Sequence, residues 1–404
     1  MTTVVSILLS DIIPLKERGV WQGVINIIFA SGSSTGAVLG GVLADTVGWR
    51  WAFLGQAPLC LLAYIAVYFG LQLRAAENKD WKSKLRRIDF LGAIILVGAV
   101  FCMIFGFDRG SNIAWSVPVS YGPLIASLFA FALFLLVEME FAAEPFVPGH
   151  IVFESSLFAG YMCNFFSFGG WLAMLYFFPF FFQSAAGLDA ADASLRLLPS
   201  LLSGVSGSLF GGVMMKKTGR YYLLTVICYT TLVIGGVIIV LFSGLIIQDT
   251  WGMVIGTIVC AFSNGIGVTT SLIALSKLPI LDTIPKLTCQ VSNAAPEDQA
   301  VTTACSYLFR QLGSVIGISL CATAIQQILR ADLRQKLGSG KEADDIVQSV
   351  RKSLDAIKKL DPNTAHIVRG SYASATRHGF ILMTGITFFA MVAAFFIREK
   401  KLSR

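Results

Sequence analysis

Six side chains with polar or amphipathic chemistry interrupt long apolar runs: Asn26, Asn164, Trp171, Tyr176, Gln183 and Asn264, while Arg310-Gln311 opens a further run. Carboxamides, an indole N–H and a phenol can hydrogen-bond a small polar molecule or one another. In hydrocarbon each needs a partner, because leaving a polar group unsatisfied costs about 1–3 kcal/mol. Such groups suit binding rather than bond cleavage. His150, His366 and His378 lie in connections or at a helix start without metal-ligand spacing, so neither metal nor cofactor is implied. Asp45, Asp89 and Asp108 flank apolar runs, and no acid lies near the centre of one. Paired acids or a nucleophile–base arrangement are missing, so no catalytic residue is assigned and an enzyme is not expected.

The elements that must position these groups are membrane helices. Hydrophobic residues make up 55% of the 404 residues and charged residues 14%, against roughly a quarter charged in an average soluble domain. Mean hydropathy is +0.72. Charge-free runs occupy 19–44, 51–73, 90–107, 110–137, 155–188, 197–215, 221–248, 250–276, 311–329 and 379–397. Each reaches or approaches the ~20 residues a helix needs to cross the bilayer. The class is therefore an all-α, polytopic integral membrane protein of about ten transmembrane helices. Of the 31 basic residues, 18 fall in connections on one side and three in short connections on the other, with ten in the long connection 330–377. With that long loop discounted, the distribution argues for positive-inside topology, and no basic face suggests nucleic acid. No C-x-x-C pair occurs among the eight cysteines.

Inside the first run, Gly32, Gly36 and Gly40 fall at four-residue spacing, followed by Gly41 and Ala44. They form one smooth stripe along a helix face, the arrangement that lets membrane helices approach closely. Ser10-Asp11-Ile12-Ile13-Pro14-Leu15-Lys16-Glu17-Arg18-Gly19 precedes the stripe and Gly48-Trp49-Arg50-Trp51-Ala52-Phe53 follows it. Together they resemble the major facilitator superfamily in its fourteen-helix drug:proton antiporter branch, which includes fungal multidrug exporters and vacuolar basic amino acid transporters. The stripe matches that branch's antiporter motif on its fifth helix. Ala37 stands where the family usually has proline, a departure that removes the expected kink.

The resemblance implies a secondary transporter in the lipid bilayer of a vacuolar or plasma membrane, exchanging protons for a small molecule, either drug-like or a basic amino acid. It makes Gly32, Gly36, Gly40, Gly41, Asp11 and Arg18 the transport motif. It also places the fifth and eighth spans on the cavity, with Asn164, Trp171, Tyr176 and Asn264 as lining candidates. For each asparagine an interhelical hydrogen bond without ligand contact is the alternative. Arg310 reads as a cytosolic anchor rather than a ligand.

By the same resemblance the chain lacks about the first four family helices, with Met1–Ser10 ending the fourth. Family members commonly carry their proton-coupling acids on the first and fourth helices. Residues 276–289 are additional to the usual pattern. A non-transporting remnant or gene-model fragment is the competing reading. The organisation expected is a remnant of the N-terminal bundle (1–73), a two-helix insertion with its linker (74–153) and a C-terminal six-helix bundle (154–404). Small residues Gly204, Ser208 and Gly212 on the sixth span would meet the Gly36 stripe at a half-to-half seam, with contact inside its own half as the alternative for each stripe. In the long connection 330–377, Ile346, Val350, Leu354 and Ile357 are spaced like an amphipathic helix on the membrane interface, with a solvated helical loop as the alternative.

Overall fold

The computed structural model describes residues 48–70, 89–113, 115–140, 155–218, 220–275, 296–338 and 360–397, with shorter stretches and single positions within 4–43 and 346–357. Asp11, Arg18, Gly40 and Gly41, and the segments 71–88, 141–154 and 276–295, lie outside the described residues.

Helices dominate. They are α1 (Trp49–Leu54), α2 (Gln56–Gly70), α3 (Phe90–Asn112), α4 (Pro118–Glu140), α5 (Ser155–Ser184) and α6 (Ala190–Leu195), then α7 (Leu198–Thr218), α8 (Tyr222–Phe242), α9 (Thr250–Leu275), α10 (Pro296–Leu337) and α11 (Pro362–Ala394). Eight are long and apolar enough to cross a membrane, and α2 is a shorter apolar helix. Aspartates set several starts. Asp89 accepts the Gly92 N–H at 2.9 Å before α3, and Asp249 accepts that of Gly252 at 2.9 Å before α9. Asp361 accepts the Asn363 N–H at 3.2 Å, with Pro362 at the first position of α11. Each satisfies a backbone donor that a helix start leaves without an internal partner.

Packing divides into two groups. α3 and α4 form a hairpin that packs mainly against α10, with Phe134 of α4 also meeting Leu157 and Tyr161 of α5. Gln327 and Arg330 of α10 donate to the carbonyls of Gly110 and Ile113 at 3.2 and 3.1 Å. The second group comprises α5 and α7 to α11, with α5 against α10 and α11, and α9 against α7 and α8. α9 is the most enclosed span, 72% of its apolar window being buried, against 22% for α3 and α4.

Glycine makes these approaches possible. A Cβ on Gly265 of α9 would strike the Gly204 carbonyl of α7, and one on Gly317 of α10 would strike that of Gly169 on α5. Between helices of near-equal hydropathy to lipid, backbone proximity of this kind is the main source of association.

Three sequence expectations are corrected. First, the run 379–397 marks only the end of α11, which begins at Pro362, and the run at 311–329 lies within the 42-residue α10. A charge-free run detects the membrane-embedded part, whereas helical hydrogen bonding continues into polar sequence where water solvates the charges. Lys336 and Asp332 pair at 2.7 Å on that extension. Second, Val350 and Ile357 are buried against the core, and Tyr372 of α11 donates to the Val350 carbonyl at 2.9 Å. These apolar residues cover protein rather than the membrane interface.

Third, Gly32 and Gly36 are exposed, and among the described residues no neighbouring element comes within 4 Å of where a Cβ would stand. The expected stripe-to-stripe seam is not formed at Gly36. Instead the first apolar run meets α7 nearer its start. Gly23 lies against Leu209, and Asn26 donates to the Ser208 hydroxyl at 2.7 Å. Within the α7 stripe, Gly204 and Ser208 pack inside the second group against Ala261 and Thr269 of α9, and the neighbouring Gly207 and Gly211 meet Phe262 and Ile266 of the same helix. Spacing shows that a helix can be approached closely, not by which neighbour.

Candidate functional site

Three polar stripes converge inside the second group. On α5, Asn164, Ser167, Phe168 and Trp171 follow the three- and four-residue steps that keep side chains on one face. On α10, Thr302, Ser306, Arg310 and Ser314 recur at four-residue intervals and all are buried. On α9, Thr269, Thr270 and Ser271 are fully buried.

Asn164 is the hub. Its Oδ1 accepts from Arg310 Nε at 3.0 Å and from the Ser271 hydroxyl at 3.0 Å, while its Nδ2 donates to Ser306 Oγ at 3.1 Å. Arg310 Nη2 donates to Ser271 Oγ at 3.1 Å and to the Val268 carbonyl at 3.3 Å. The guanidinium carbon stands 5.1 Å from the ring centres of both Phe168 and Tyr307. One carboxamide thus joins α5, α9 and α10.

This corrects the sequence reading of Arg310, which is 3% exposed and not a surface anchor. A charge placed mid-helix in a bilayer costs about 2.5–3.5 kcal/mol on insertion scales. Hydrogen bonds from a charged donor contribute about 1.5–3 kcal/mol each, and a desolvated cation over an aromatic face up to about 2 kcal/mol. Neutral partners therefore offset the burial energetically, yet they leave the positive charge uncancelled. Among the described residues no carboxylate lies within ion-pair distance of Arg310.

The remaining candidates separate. Asn164 is sealed within the network rather than lining an open cavity. Trp171 is half-buried on the same face of α5, two turns further along. Asn264 is 7% exposed and makes no hydrogen bond among the described residues. Tyr176 does not join the cluster: it is 63% exposed and stacks edge-on against Phe177. Twelve residues at about 100° each turn it roughly 120° around α5 from Asn164. A groove of about 600 Å³ between α5 and α11 is lined by apolar side chains, Phe158, Met162, Phe166, Phe389 and Phe396 among them. Its α5 residues lie on the face opposite Asn164. No metal-holding group of His, Cys, Asp or Glu occurs among the described residues.

Sequence reasoning missed Ser271, Ser306 and Tyr307, and also Glu138, which is 3% exposed near the end of α4. Hydroxyl residues are too common in membrane helices to stand out singly, but the Thr302–Ser306–Arg310 spacing was available as a signal. Glu138 falls one residue beyond the charge-free run 110–137 and was passed over for that reason. A second, smaller chain of hydroxyls links Asn26 through Ser208 to Thr269, whose Oγ1 is 2.8 Å from Ser208 Oγ.

Comparison with known proteins identifies the family. The family profile described as Major Facilitator Superfamily matches residues 1–318. Over 404 residues the chain is 33% identical to the vacuolar membrane amino acid uptake transporter fnx2 of Schizosaccharomyces pombe, covering 100% of this chain and 67% of that one. It is 34% identical over 391 residues to the multidrug resistance protein fnx1 of the same organism, covering 96% and 70% respectively. Vacuolar basic amino acid transporter 2 of Saccharomyces cerevisiae is 28% identical over 414 residues, covering 97% and 82%.

Proposed function

This chain belongs to the major facilitator superfamily and is a multi-span membrane transporter rather than an enzyme, and from that footing we propose that it exchanges protons for a small nitrogen-containing molecule. Amino acids are the preferred substrate class, with drug-like organic molecules as the alternative. Two of the relatives compared above are named as amino acid transporters and one as a multidrug resistance protein. The same relatives support placement in the vacuolar membrane.

The observation that carries the proposal is the Asn164–Arg310–Ser271–Ser306 network. It concentrates hydrogen-bonding capacity and one charge where the polar stripes of α5, α9 and α10 meet. Transporters of this architecture bind substrate near the bilayer midplane and move one bundle against the other. Asn264 and Trp171 extend the polar wall on α9 and α5. Asp11, Arg18 and the Gly32–Gly41 stripe form the transport motif on the first segment. Residues 1–73, 74–153 and 154–404 act as an N-terminal bundle portion, a two-helix addition and a six-helix bundle.

The test is uptake of radiolabelled L-lysine and L-arginine by acid-inside vesicles containing the purified chain. Uptake above that of empty vesicles, abolished by a protonophore, supports proton-coupled exchange. Uptake indifferent to the protonophore removes the coupling. Absence of uptake of these amino acids and of cationic dyes removes the transport reading.

A further inference from the structure

Arg310 is 3% exposed, no carboxylate among the described residues lies within ion-pair distance of it, and its hydrogen bonds are unevenly distributed. Nε and Nη2 are held by Asn164, Ser271 and the Val268 carbonyl. Nη1 makes no hydrogen bond among the described residues, and it is not one of the sealed unsatisfied atoms, unlike Ser263 Oγ and Arg377 Nε. Every neighbour that fixes the group is neutral. Phe168 and Tyr307 press on its surroundings without supplying negative charge.

We propose that Arg310 Nη1 is the docking point for the carboxylate of the transported molecule, with Asn164 and Ser271 as the residues that hold the guanidinium edge in place. This rests on the transport reading above and adds the chemistry of the substrate. A cation whose Nε and Nη2 donors are already held presents one aimed N–H pair to an incoming oxygen. In a low-dielectric setting an anion is attracted more strongly than in water. A monoanion cancels the guanidinium charge, whereas a dianion such as phosphate carries an excess negative charge into the membrane interior, which is costly. Singly charged carboxylates therefore fit better than phosphate groups. For an amino acid, the carboxylate also lowers the net positive charge by one relative to its decarboxylated amine, which eases entry beside a buried cation.

Wild-type chain in lipid nanodiscs decides the matter by equilibrium binding of labelled L-lysine and L-arginine against their decarboxylated counterparts, cadaverine and agmatine. The proposal expects each amino acid to bind at least about tenfold more tightly than its amine, the size of one charge-assisted contact. It expects Arg310→Gln to bring that ratio close to one and Arg310→Lys to retain part of it. Because the wild-type ratio alone is decisive, the proposal stays testable if Arg310→Gln does not fold. Equal binding of amino acids and amines overturns the carboxylate site while leaving the transport reading intact. Binding of neither pair, with uptake of another compound in vesicles, also overturns it and leaves transport standing. Binding of neither, with no uptake of any compound tried, overturns both.

Discussion

Arg310 Nε lies 3.0 Å from Asn164 Oδ1, across 146 residues of sequence and between two helices. A short run of apolar sequence with a lone arginine at its start has become a clamp at the meeting of α5, α9 and α10. Asn164→Leu removes the acceptor for both Arg310 Nε and the Ser271 hydroxyl. It should lower stability by about 3 kcal/mol, the scale for stranding a buried charged donor. Asn164→Asp keeps an acceptor and adds a counter-charge, so it should unfold nearer to wild type while losing transport. Thermal unfolding in detergent, paired with vesicle uptake, separates the two variants. Equal stability of the Leu and Asp forms contradicts the hub role.

Glycine positions should differ sharply in tolerance. Gly265 faces the Gly204 carbonyl, and even alanine there forces the α7–α9 pair apart. The expected cost is about 1–3 kcal/mol, the usual penalty for overpacking. Gly36 is exposed and meets no neighbouring element among the described residues, so Gly36→Ala should alter stability by less than about 0.5 kcal/mol. Thermal melts of the two single variants check the contrast.

How far the sequence could be read depends on the physics behind each feature. The run 221–248 anticipated α8 (Tyr222–Phe242) well, because excluding charge from hydrocarbon is a strong constraint. The first sixteen residues of α11, from Pro362 to Arg377, were invisible to the same criterion, since nothing excludes charge outside the bilayer. Asn164 and Arg310 were both singled out as unusual, yet their pairing was not. A basic residue beside an apolar run reads as an anchor until the partner helix is known, and that partner lies far away in sequence. Tyr176 shows the converse: its type suggested a lining residue, and its angle on α5 turns it away from the Asn164 cluster.

The contact between Asn26 and Ser208 joins the first apolar run to α7 at 2.7 Å. Hydrogen bonds between membrane helices average about 0.6 kcal/mol in double-mutant cycles. A cycle with Asn26→Ala and Ser208→Ala should return a coupling of about that size. A coupling near zero contradicts a direct link. Because Ser208 also meets Thr269, Thr269→Val should couple to Ser208→Ala but only weakly to Asn26→Ala.

Tyr372→Phe deletes the hydroxyl that donates to the Val350 carbonyl. The loss expected is about 1 kcal/mol, expressed locally. Hydrogen exchange around residues 346–357 should accelerate, while exchange in α9 should be unchanged. Uniform acceleration throughout the chain contradicts a local tether.

The most direct measurement compares wild type with Arg310→Gln for proton-gradient-driven L-lysine and L-arginine uptake into vesicles, at matched amounts of correctly inserted protein. With the Asn164–Arg310 cluster at the substrate site, wild type accumulates label above empty vesicles and Arg310→Gln falls to the empty-vesicle level. Accumulation by Arg310→Gln at the wild-type rate contradicts that assignment.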